Sequence, residues 1–462
     1  MSDLKENSST VPDLHRSLPE ISGLIKKIYN YPSDIVLKID NSLNKEIIYG
    51  KKVLNITNFT KKFRSHTITY QTHGLIIYPA KFIPQIPQLC IQKYSDLHDL
   101  ILDPFCGCGT TLVEAMLLQR NGYGLDINPL AQLITKVKTT PLDLTLLSKE
   151  CTALEQFLKI NSRNSVVSEE KIPYFPNLSY WFTPKILQEL VKLQRYIFNV
   201  SDSTIQDFFL LILASIIREV SLADRDQLHP ARTKYSRKKE NSTIQTYEIF
   251  RKSLHFRLPI IKEFSQYDFS EISVQVIEED ATKIKCPSKV NLAVTSPPYV
   301  NALDYVRIHK LEAFWAGLLT PKEIPTLHRK FIGTENVYKD YYYNLPEFSN
   351  QELNQLISQI ASFDRKRAGI VALYFTRMFE NLKEVYQLLQ PGGHYCIVIG
   401  SNNIRNIHVP TPKIFIQFAE DEIGYENTVN YSYEVINKRL KIPRARHGGN
   451  IKKEWIIILQ KS

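Results

Sequence analysis

Two patterns of apolar positions alternate along much of the chain. From Leu97 the stretch LHDLILDPFCGCGTTLVEAMLLQRNGYGLD predicts an apolar strand, a glycine-rich turn, a helix with apolar residues at helical spacing, and a strand that ends at Asp126. This succession is a βαβ unit. Strand patterns return in ISVQVIEEDA, VNLAVTS and GGHYCIVIG, and helix patterns occur in VALYFTRMFENLKEVYQLL and at 411–423. The last two strand patterns, ENTVNYSYEVINKRL and KKEWIIILQ, could pair as a hairpin.

Strands that alternate with helices predict an α/β fold with a doubly wound, mostly parallel sheet, and the hairpin would add an antiparallel edge. Helical patterns such as ILQELVKLQRYIF and the polar, basic stretch RTKYSRKKENS interrupt the alternation. We therefore predict an N-terminal extension (1–72), a first half of the α/β domain (73–142), an inserted, mainly helical domain (143–272), and a second half (273–462) with a polar insertion near 319–364.

Composition narrows the class of protein. A chain of 462 residues with 43% hydrophobic and 11% aromatic residues is expected to be globular, and a formal charge of +11 modestly favours a polyanionic partner. The six cysteines form no CxxC pair, which argues against a zinc site or a disulfide framework and favours a reducing cytoplasm. The longest apolar segment, FFLLILASII, is too short to span a bilayer. We expect a soluble, cytoplasmic protein with no metal and no membrane partner.

The glycine turn DPFCGCGTT suits an adenosine-type cofactor. Gly107 and Gly109 allow a tight turn and a close approach of the backbone to a ligand. Asp126 ends the next strand 17 positions after Gly109, where its carboxylate could accept both hydroxyls of a ribose. A dinucleotide would favour GxGxxG and a nucleoside triphosphate GxxxxGK[ST], and neither motif is present. The turn could also serve only the connection from strand to helix.

The stretch NLAVTSPPY ends a buried strand in an unusual way. The apolar run Leu292 to Val294 leads to Thr295 and Ser296, then directly to two prolines and a tyrosine. Because prolines have no amide hydrogen and a fixed φ, the chain must leave the sheet in a stiff, extended form that leaves carbonyl acceptors unused. By itself this could be a strand-ending turn. Ligands of doubly wound sheets bind at this carboxyl end of the strands.

Together these segments resemble the S-adenosylmethionine-dependent amino methyltransferases of DNA. DPFCGCGTTLVEA resembles their cofactor loop, usually written with a small residue where Cys108 stands, and VTSPPY resembles their catalytic tetrapeptide in the form typical of cytosine-N4 enzymes. YPAKFIPQIP (78–87) resembles the helix that precedes the cofactor loop. The resemblance covers roughly 73–131, 276–317 and 370–462. It implies S-adenosylmethionine as cofactor and double-stranded DNA as partner, and it allows for a companion restriction endonuclease.

The resemblance also assigns residues. Asp280 in IEEDA, at the end of the strand before the tetrapeptide, is expected to accept from the adenine amine of the cofactor, with Glu279 as the competing choice. The catalytic residues would be Ser296, Pro297, Pro298 and Tyr299. The other cofactor contacts would be Asp103, Phe105, Gly107, Gly109, Thr110, Thr111 and Asp126.

The tetrapeptide suits methylation of an amine. The exocyclic amine of cytosine is a poor nucleophile, and hydrogen bonds to the Ser296 hydroxyl and the Pro297 carbonyl would direct its lone pair at the methyl sulfonium. Serine is too weak a base to remove a proton first, so we expect direct in-line transfer with the proton lost afterwards. No cysteine follows a proline, which fits a reaction without a covalent intermediate. Tyr299 would stack on a base flipped out of the duplex.

Family analogy makes the insertion at 143–272 a target-recognition domain. Its basic residues between Arg225 and Lys262 and the loop KRLKIPRARHGGN (438–450) could contact phosphates. Four functions stay open. Cytosine-N4 methylation of DNA is favoured over adenine-N6 methylation and RNA guanine-N2 methylation, because those enzymes usually have Asp or Asn at the position of Ser296. A non-catalytic DNA-binding subunit with the same fold is the fourth.

Overall fold

The computed structural model describes residues 46–61, 63, 68–163, 172–225, 227–233, 244–300, 303–435 and 451–462. Its centre is a sheet of nine strands in the order β1-β2-β10-β11-β7-β6-β3-β4-β5, and β8 and β9 form a separate small hairpin. The strands are β1 (Glu46–Ile48), β2 (Lys51–Asn55), β3 (Leu100–Asp103), β4 (Asn121–Leu125), β5 (Val274–Ile277), β6 (Val290–Thr295), β7 (Leu389–Gly400), β8 (Asn402–Ile404), β9 (Ile407–Val409), β10 (Tyr425–Glu434) and β11 (Lys453–Lys461).

The predicted doubly wound, mostly parallel sheet is confirmed. Strands β5, β4, β3, β6 and β7 pair in parallel, and β11 is antiparallel to both β7 and β10. Strand β7 reads as a continuous apolar run because it is covered on both faces, and its residues Cys396 to Ile399 are fully buried. The pattern of continuous apolar runs therefore identified the parallel core correctly.

The terminal hairpin forms, but it is not the edge of the sheet. Strand β2 pairs in parallel with β10, with Val53 opposite Asn430, and β1 lies outside β2. The sequence pattern predicts an antiparallel edge there and no strand within the N-terminal extension, and both predictions are wrong. The reason is that β1 and β2 have three and five residues and carry two lysines, so they show too little alternation to be recognised.

Helices cover both faces of the sheet and fill the insertion. They are α1 (Thr57–Thr60), α2 (Gln85–Tyr94), α3 (Thr110–Leu117), α4 (Pro129–Thr139), α5 (Leu144–Arg163), α6 (Leu178–Trp181), α7 (Pro184–Phe198), α8 (Ser203–Val220), α9 (Thr246–Phe264), α10 (Tyr305–Trp315), α11 (Ile324–Lys330), α12 (Asp340–Tyr343), α13 (Gln351–Phe363), α14 (Arg365–Leu388) and α15 (Thr411–Phe418). A short 3₁₀ helix spans Gln71–Gly74 and a π-helix spans Ala419–Ile423.

The apolar segment FFLLILASII lies in α8, the central helix of the insertion. Asp202 caps this helix by accepting from the amides of Thr204 and Ile205. The helix is buried on nearly all sides because it packs against α4, α7, α9 and α10. Among the described residues no helix is both long and apolar enough to cross a membrane.

The helix expected at 78–87 begins seven residues later. Only Gln85 to Pro87 of that stretch belong to α2, which continues to Tyr94. Pro79 and Pro84 explain the difference, since each disfavours helical geometry at the residue before it. Pro84 is the residue that precedes the first helical turn.

Candidate active site

The cofactor loop and the SPPY loop leave the sheet side by side. Strands β3 and β6 are parallel neighbours, with Leu102 opposite Ala293, so both loops start at the same edge of the sheet. The hydroxyl of Thr295, the last residue of β6, donates to Oδ1 of Asp103, the last residue of β3, over 2.6 Å. The two predicted halves of the site therefore meet, although 192 residues separate them in the sequence.

Asp103 is a buried residue whose hydrogen bonds link the starts of these two loops. Its Oδ1 also accepts from the amide of Phe105 over 3.1 Å. Burial raises the pKa of Asp103 to about 6, while hydrogen bonds from Thr111, Thr295 and the Phe105 amide act in the opposite direction. The sequence predicted Asp103 as a cofactor contact, and the structure shows that its Oδ1 fixes the start of the cofactor loop.

The glycine turn has the expected left-handed conformation. The φ angles are +51° at Gly107 and +74° at Gly109, and the amide of Gly109 donates to the carbonyl of Cys106 over 2.7 Å. A Cβ on Gly109 would lie 2.6 Å from Cγ2 of Thr135, which is on α4. The obstacle to a side chain at Gly109 is thus a residue of the protein itself, and the close approach of this turn to a ligand stays a prediction.

Two side chains of α4 support the turn from below. Thr135 donates its hydroxyl to the carbonyl of Gly107 over 2.8 Å, and Nζ of Lys138 donates to the carbonyl of Cys108 over 2.6 Å. Lys138 is buried, and this burial lowers its pKa to about 8. These supports were not predicted, because an isolated Thr or Lys on an amphipathic helix carries no signal of a contact with a loop.

Asp126 faces the glycine turn from the end of β4, as predicted. Its Oδ2 accepts from the amide of Gly107 over 3.0 Å and its Oδ1 from the amide of Asn128 over 2.7 Å. Burial raises its pKa to about 6, and the two amide donors oppose that shift. Each carboxylate oxygen can accept a second hydrogen bond, so the half-buried Asp126 fits the two hydroxyls of a ribose.

A stack of aromatic rings stands over this region and was missed by sequence analysis. The ring of Tyr78 lies parallel to that of Tyr305, with centroids 5.8 Å apart, and 5.2 Å from the ring of His309. The Tyr78 hydroxyl accepts from Nδ2 of Asn128 over 3.2 Å. Burial raises the pKa of both tyrosines, and the charge of Asp126 adds to this effect. The stack therefore lies beside Asp126 and Asn128, on the cofactor side of the site.

The SPPY loop follows β6 directly and is partly buried. Pro297 is buried, and Ser296, Pro298 and Tyr299 are half-buried at the rim of the site. The Tyr299 hydroxyl donates to Oε1 of Glu454 over 2.7 Å. Burial raises the pKa of Tyr299 well above its usual value, and Glu454 adds to the shift. Tyr299 is therefore an uncharged ring that is held at its hydroxyl end.

Asp280 and Glu279 both take part in local turns. Oδ1 of the exposed Asp280 accepts from the amide and the hydroxyl of Thr282, over 3.0 and 2.9 Å. Oε2 of Glu279 accepts from the amide of Lys285 over 3.1 Å. An adenine contact of Asp280 stays a prediction.

Several basic residues of the insertion pair with their own chain. Arg251 contacts Glu155 and Glu248, over 2.9 and 2.7 Å, and Arg225 contacts Glu219 over 2.6 Å. The loop expected at 438–450 lies outside the described residues, as do 234–243 in the insertion. Some basic side chains in the described part of the insertion are therefore neutralised by acidic partners, so its surplus of positive charge is smaller than its basic residues alone suggest.

Comparison with known proteins decides the family. A family model described as DNA methylase, for N6 and N4 amino methylation, matches residues 24–136 and 290–462, which is more than half of the chain. The chain belongs to this DNA methylase family. Like the family, the methylase uses S-adenosylmethionine, for which the glycine turn and Asp126 provide a suitable site. The unmatched residues 137–289 contain α5 to α9.

Two relatives extend over most of the methylase. Type II methyltransferase M.MvaI of Kocuria varians is 24% identical over 409 residues, which are 84% of this chain and 89% of that protein. Type II methyltransferase M.BsoBI of Geobacillus stearothermophilus is 24% identical over 434 residues, 81% of this chain and 84% of that protein. The structure of TrmN from Thermus thermophilus covers 82% of this chain and 49% of its own, with 9% identity and a TM-score of 0.26. Because this TM-score is low, the fold is assigned from the strand order of the sheet and not from this likeness.

Proposed function

We propose that the methylase modifies the N4 amine of cytosine in double-stranded DNA at a specific short sequence. The observation that carries this proposal is the hydrogen bond between Asp103 and Thr295, which joins the cofactor loop to a TSPPY segment. Serine at position 296 supports cytosine over adenine. The likeness to two Type II methyltransferases supports DNA as the substrate and a restriction endonuclease as a companion.

Each residue of the tetrapeptide has a role that follows from its chemistry. The amine of the target base donates to the Ser296 hydroxyl and to the Pro297 carbonyl, which cannot be used by a sheet partner once the chain has left β6. These two acceptors turn the nitrogen lone pair away from the ring of the base. The bound cofactor supplies an electrophilic methyl group. Ser296 then passes the amine proton to water, since no stronger base is needed after transfer.

The insertion at 143–272 is proposed to read the DNA sequence, with the loop at 438–450 beside the catalytic edge. The structure anchors the insertion on both sides of the chemistry: Asp207 of α8 pairs with Lys136 of α4 over 2.6 Å, and Arg218 of α8 lies 3.5 Å from Glu312 of α10. A recognition domain needs such a fixed relation to the site, because a target base must arrive in register with the catalytic loop.

The test is to express the methylase in bacteria that lack DNA methylation and to sequence their DNA for modified bases. We expect N4-methylcytosine at one short motif. Ser296→Ala should reduce methylation on the order of a hundredfold, as loss of a preorganised hydrogen bond does, while S-adenosylmethionine binding persists. The matched control is Ser362→Ala, an exposed serine at the end of α13. Methylated adenine alone would overturn the base assignment, and unmodified DNA would overturn the function.

A further inference from the structure

A carboxylate near the start of β11 lies between two tyrosine hydroxyls. Oε1 of Glu454 accepts from Tyr299 over 2.7 Å, and its Oε2 accepts from Tyr433. Glu454 lies opposite Tyr433 in the ladder of β10 and β11, and opposite Gly400 in the ladder of β11 and β7. The contact therefore links the catalytic loop to strands that follow it by more than 100 residues.

The arrangement satisfies the carboxylate in an unusual way for the middle of a sheet. A carboxylate taken from water loses free energy unless hydrogen bonds replace its hydration. Both donors here are phenols, one half-buried (Tyr299) and one buried (Tyr433), and burial raises the pKa of each well above its usual value. A pair of apolar residues would fill these positions without that requirement. The polar arrangement thus calls for a purpose beyond packing.

The ring of Tyr299 is held from several directions at once. A Cβ on Gly400 would be 3.4 Å from Cε2 of Tyr299, so the ring edge rests on the backbone at the end of β7. Pro298 restricts the backbone that leads into it. A hydrogen bond from Ser296 reaches Tyr299, and Glu454 holds its hydroxyl at the far end. The hydroxyl oxygen lies on the axis about which the ring rotates, so its hydrogen bonds fix where the ring points, while the contact of the ring edge at Gly400 limits rotation about that axis.

We propose that Glu454 is a positioning residue for the methylation reaction: it holds the hydroxyl end of Tyr299 in place so that the ring can stack on the flipped target base. This inference rests on the proposed function, because it assumes that a base enters the site. The carboxylate does not touch the base and takes no proton from it. Because Glu454 keeps the Tyr299 ring ordered before the base arrives, less conformational entropy is lost when the base stacks on it. This favours the flipped state.

The experiment compares variants of the full chain on two duplexes that carry the target sequence found by the sequencing described above: one has the fluorescent base 2-aminopurine beside the target cytosine and reports flipping, and the other has only natural bases and accepts the methyl group. Glu454→Ala removes both acceptors, Glu454→Gln keeps one, and Tyr299→Phe keeps the ring but removes the hydroxyl. Tyr425→Phe is the matched control, since it removes a buried phenol hydroxyl from β10 that donates to Leu382 instead. The readouts are the flipping signal, single-turnover methyl transfer, S-adenosylmethionine affinity and the thermal midpoint.

We expect Glu454→Ala to lower both the flipping signal and the single-turnover rate about tenfold, the usual effect of one lost hydrogen bond to a charged acceptor. S-adenosylmethionine affinity should stay within about twofold, as no contact with the cofactor loop changes. Tyr299→Phe should behave alike, and the double variant should lose no more than either single one. Glu454→Gln should recover part of the loss.

Other outcomes separate this inference from the proposed function. If Glu454→Ala and Tyr299→Phe lower the thermal midpoint as Tyr425→Phe does but flip and methylate at the unchanged rate per folded molecule, the carboxylate is structural and the inference fails. If the unmodified chain neither flips nor methylates the duplex, the proposed function fails first. Should Glu454→Ala not fold, Glu454→Gln and Tyr299→Phe carry the test.

Discussion

Replacing Gly109 by alanine tests whether the cofactor loop is shaped by the protein or by its ligand. The φ of +74° costs an alanine about 1–2 kcal/mol. The new Cβ would also lie 2.6 Å from Cγ2 and 2.9 Å from Oγ1 of Thr135. Thr135 is β-branched and cannot easily rotate away, so overpacking adds about 1–3 kcal/mol. The total loss of unfolding free energy should be about 2–5 kcal/mol.

Two further variants separate these contributions. Gly392 has a φ of +76°, and a Cβ added there would meet no atom within 4 Å, so Gly392→Ala should cost only the conformational part, about 1–2 kcal/mol. Thr135→Ser in the Gly109→Ala background removes Cγ2 but retains the hydroxyl that donates to Gly107. It should therefore recover part of the steric loss.

The clash should also reach the cofactor. Thr135 cannot move without releasing the carbonyl of Gly107, so Gly109→Ala should weaken S-adenosylmethionine binding about tenfold, which corresponds to about 1.4 kcal/mol. Urea unfolding and calorimetric titration measure the two effects. If Gly109→Ala costs no more than Gly392→Ala, or binds the cofactor as tightly as the unmodified chain, the role assigned to Thr135 is wrong.

Three other changes follow from buried polar groups. Asp126 must be ionised to accept two ribose hydroxyls, and burial raises its pKa to about 6. Calorimetry should therefore show weaker S-adenosylmethionine binding as the pH falls below that value. Asp126→Asn should flatten this pH profile. Thr295→Val removes the donor to Asp103 and should lower the unfolding free energy by about 1.5–3 kcal/mol. The control Thr320→Val removes a donor to an exposed carboxylate and should lower it by less than about 1 kcal/mol. Burial lowers the pKa of Lys138 from 10.5 to about 8, so the folded chain binds fewer protons than the unfolded chain between these values. Stability of the unmodified chain relative to Lys138→Met should therefore rise across that range by up to about 3 kcal/mol, and a constant difference in urea midpoints would contradict this.

The sequence was informative where local chemistry decides the structure. The parallel strands were predictable because burial on two faces demands continuous apolar runs, and the TSPPY segment because two prolines end a strand in only a few ways. The tight turn at Gly107 and Gly109 was predictable from its glycines and the nearness of Asp126 from its place at the end of the next strand, whereas the hydrogen bond from the Gly107 amide to Asp126 was not predicted. These features depend on few residues that lie close together in the chain.

Contacts between distant residues left no comparable signal. The stack of Tyr78 on Tyr305 joins residues more than 200 positions apart, and both read as ordinary apolar positions of their segments. Glu454 resembles any charged residue at the start of a strand until the fold brings it to Tyr299. The basic residues of the insertion are visible in the sequence, but only the packing of α9 and its neighbours brings the acidic partners of Arg225 and Arg251 to them.

The register between β3 and β6 explains why a long insertion is compatible with the chemistry. Besides the bond from Thr295 to Asp103, the hydroxyl of Thr111 donates to the carbonyl of Val294 over 3.3 Å, so the two loops are tied directly to each other. Their relative position therefore depends on neighbouring strands and not on the chain that connects them. The insertion packs through α8 against α4 and α10, the helices that follow Asp126 and the SPPY loop. DNA bound by the insertion, as proposed above, would therefore act on both loops through the same helix.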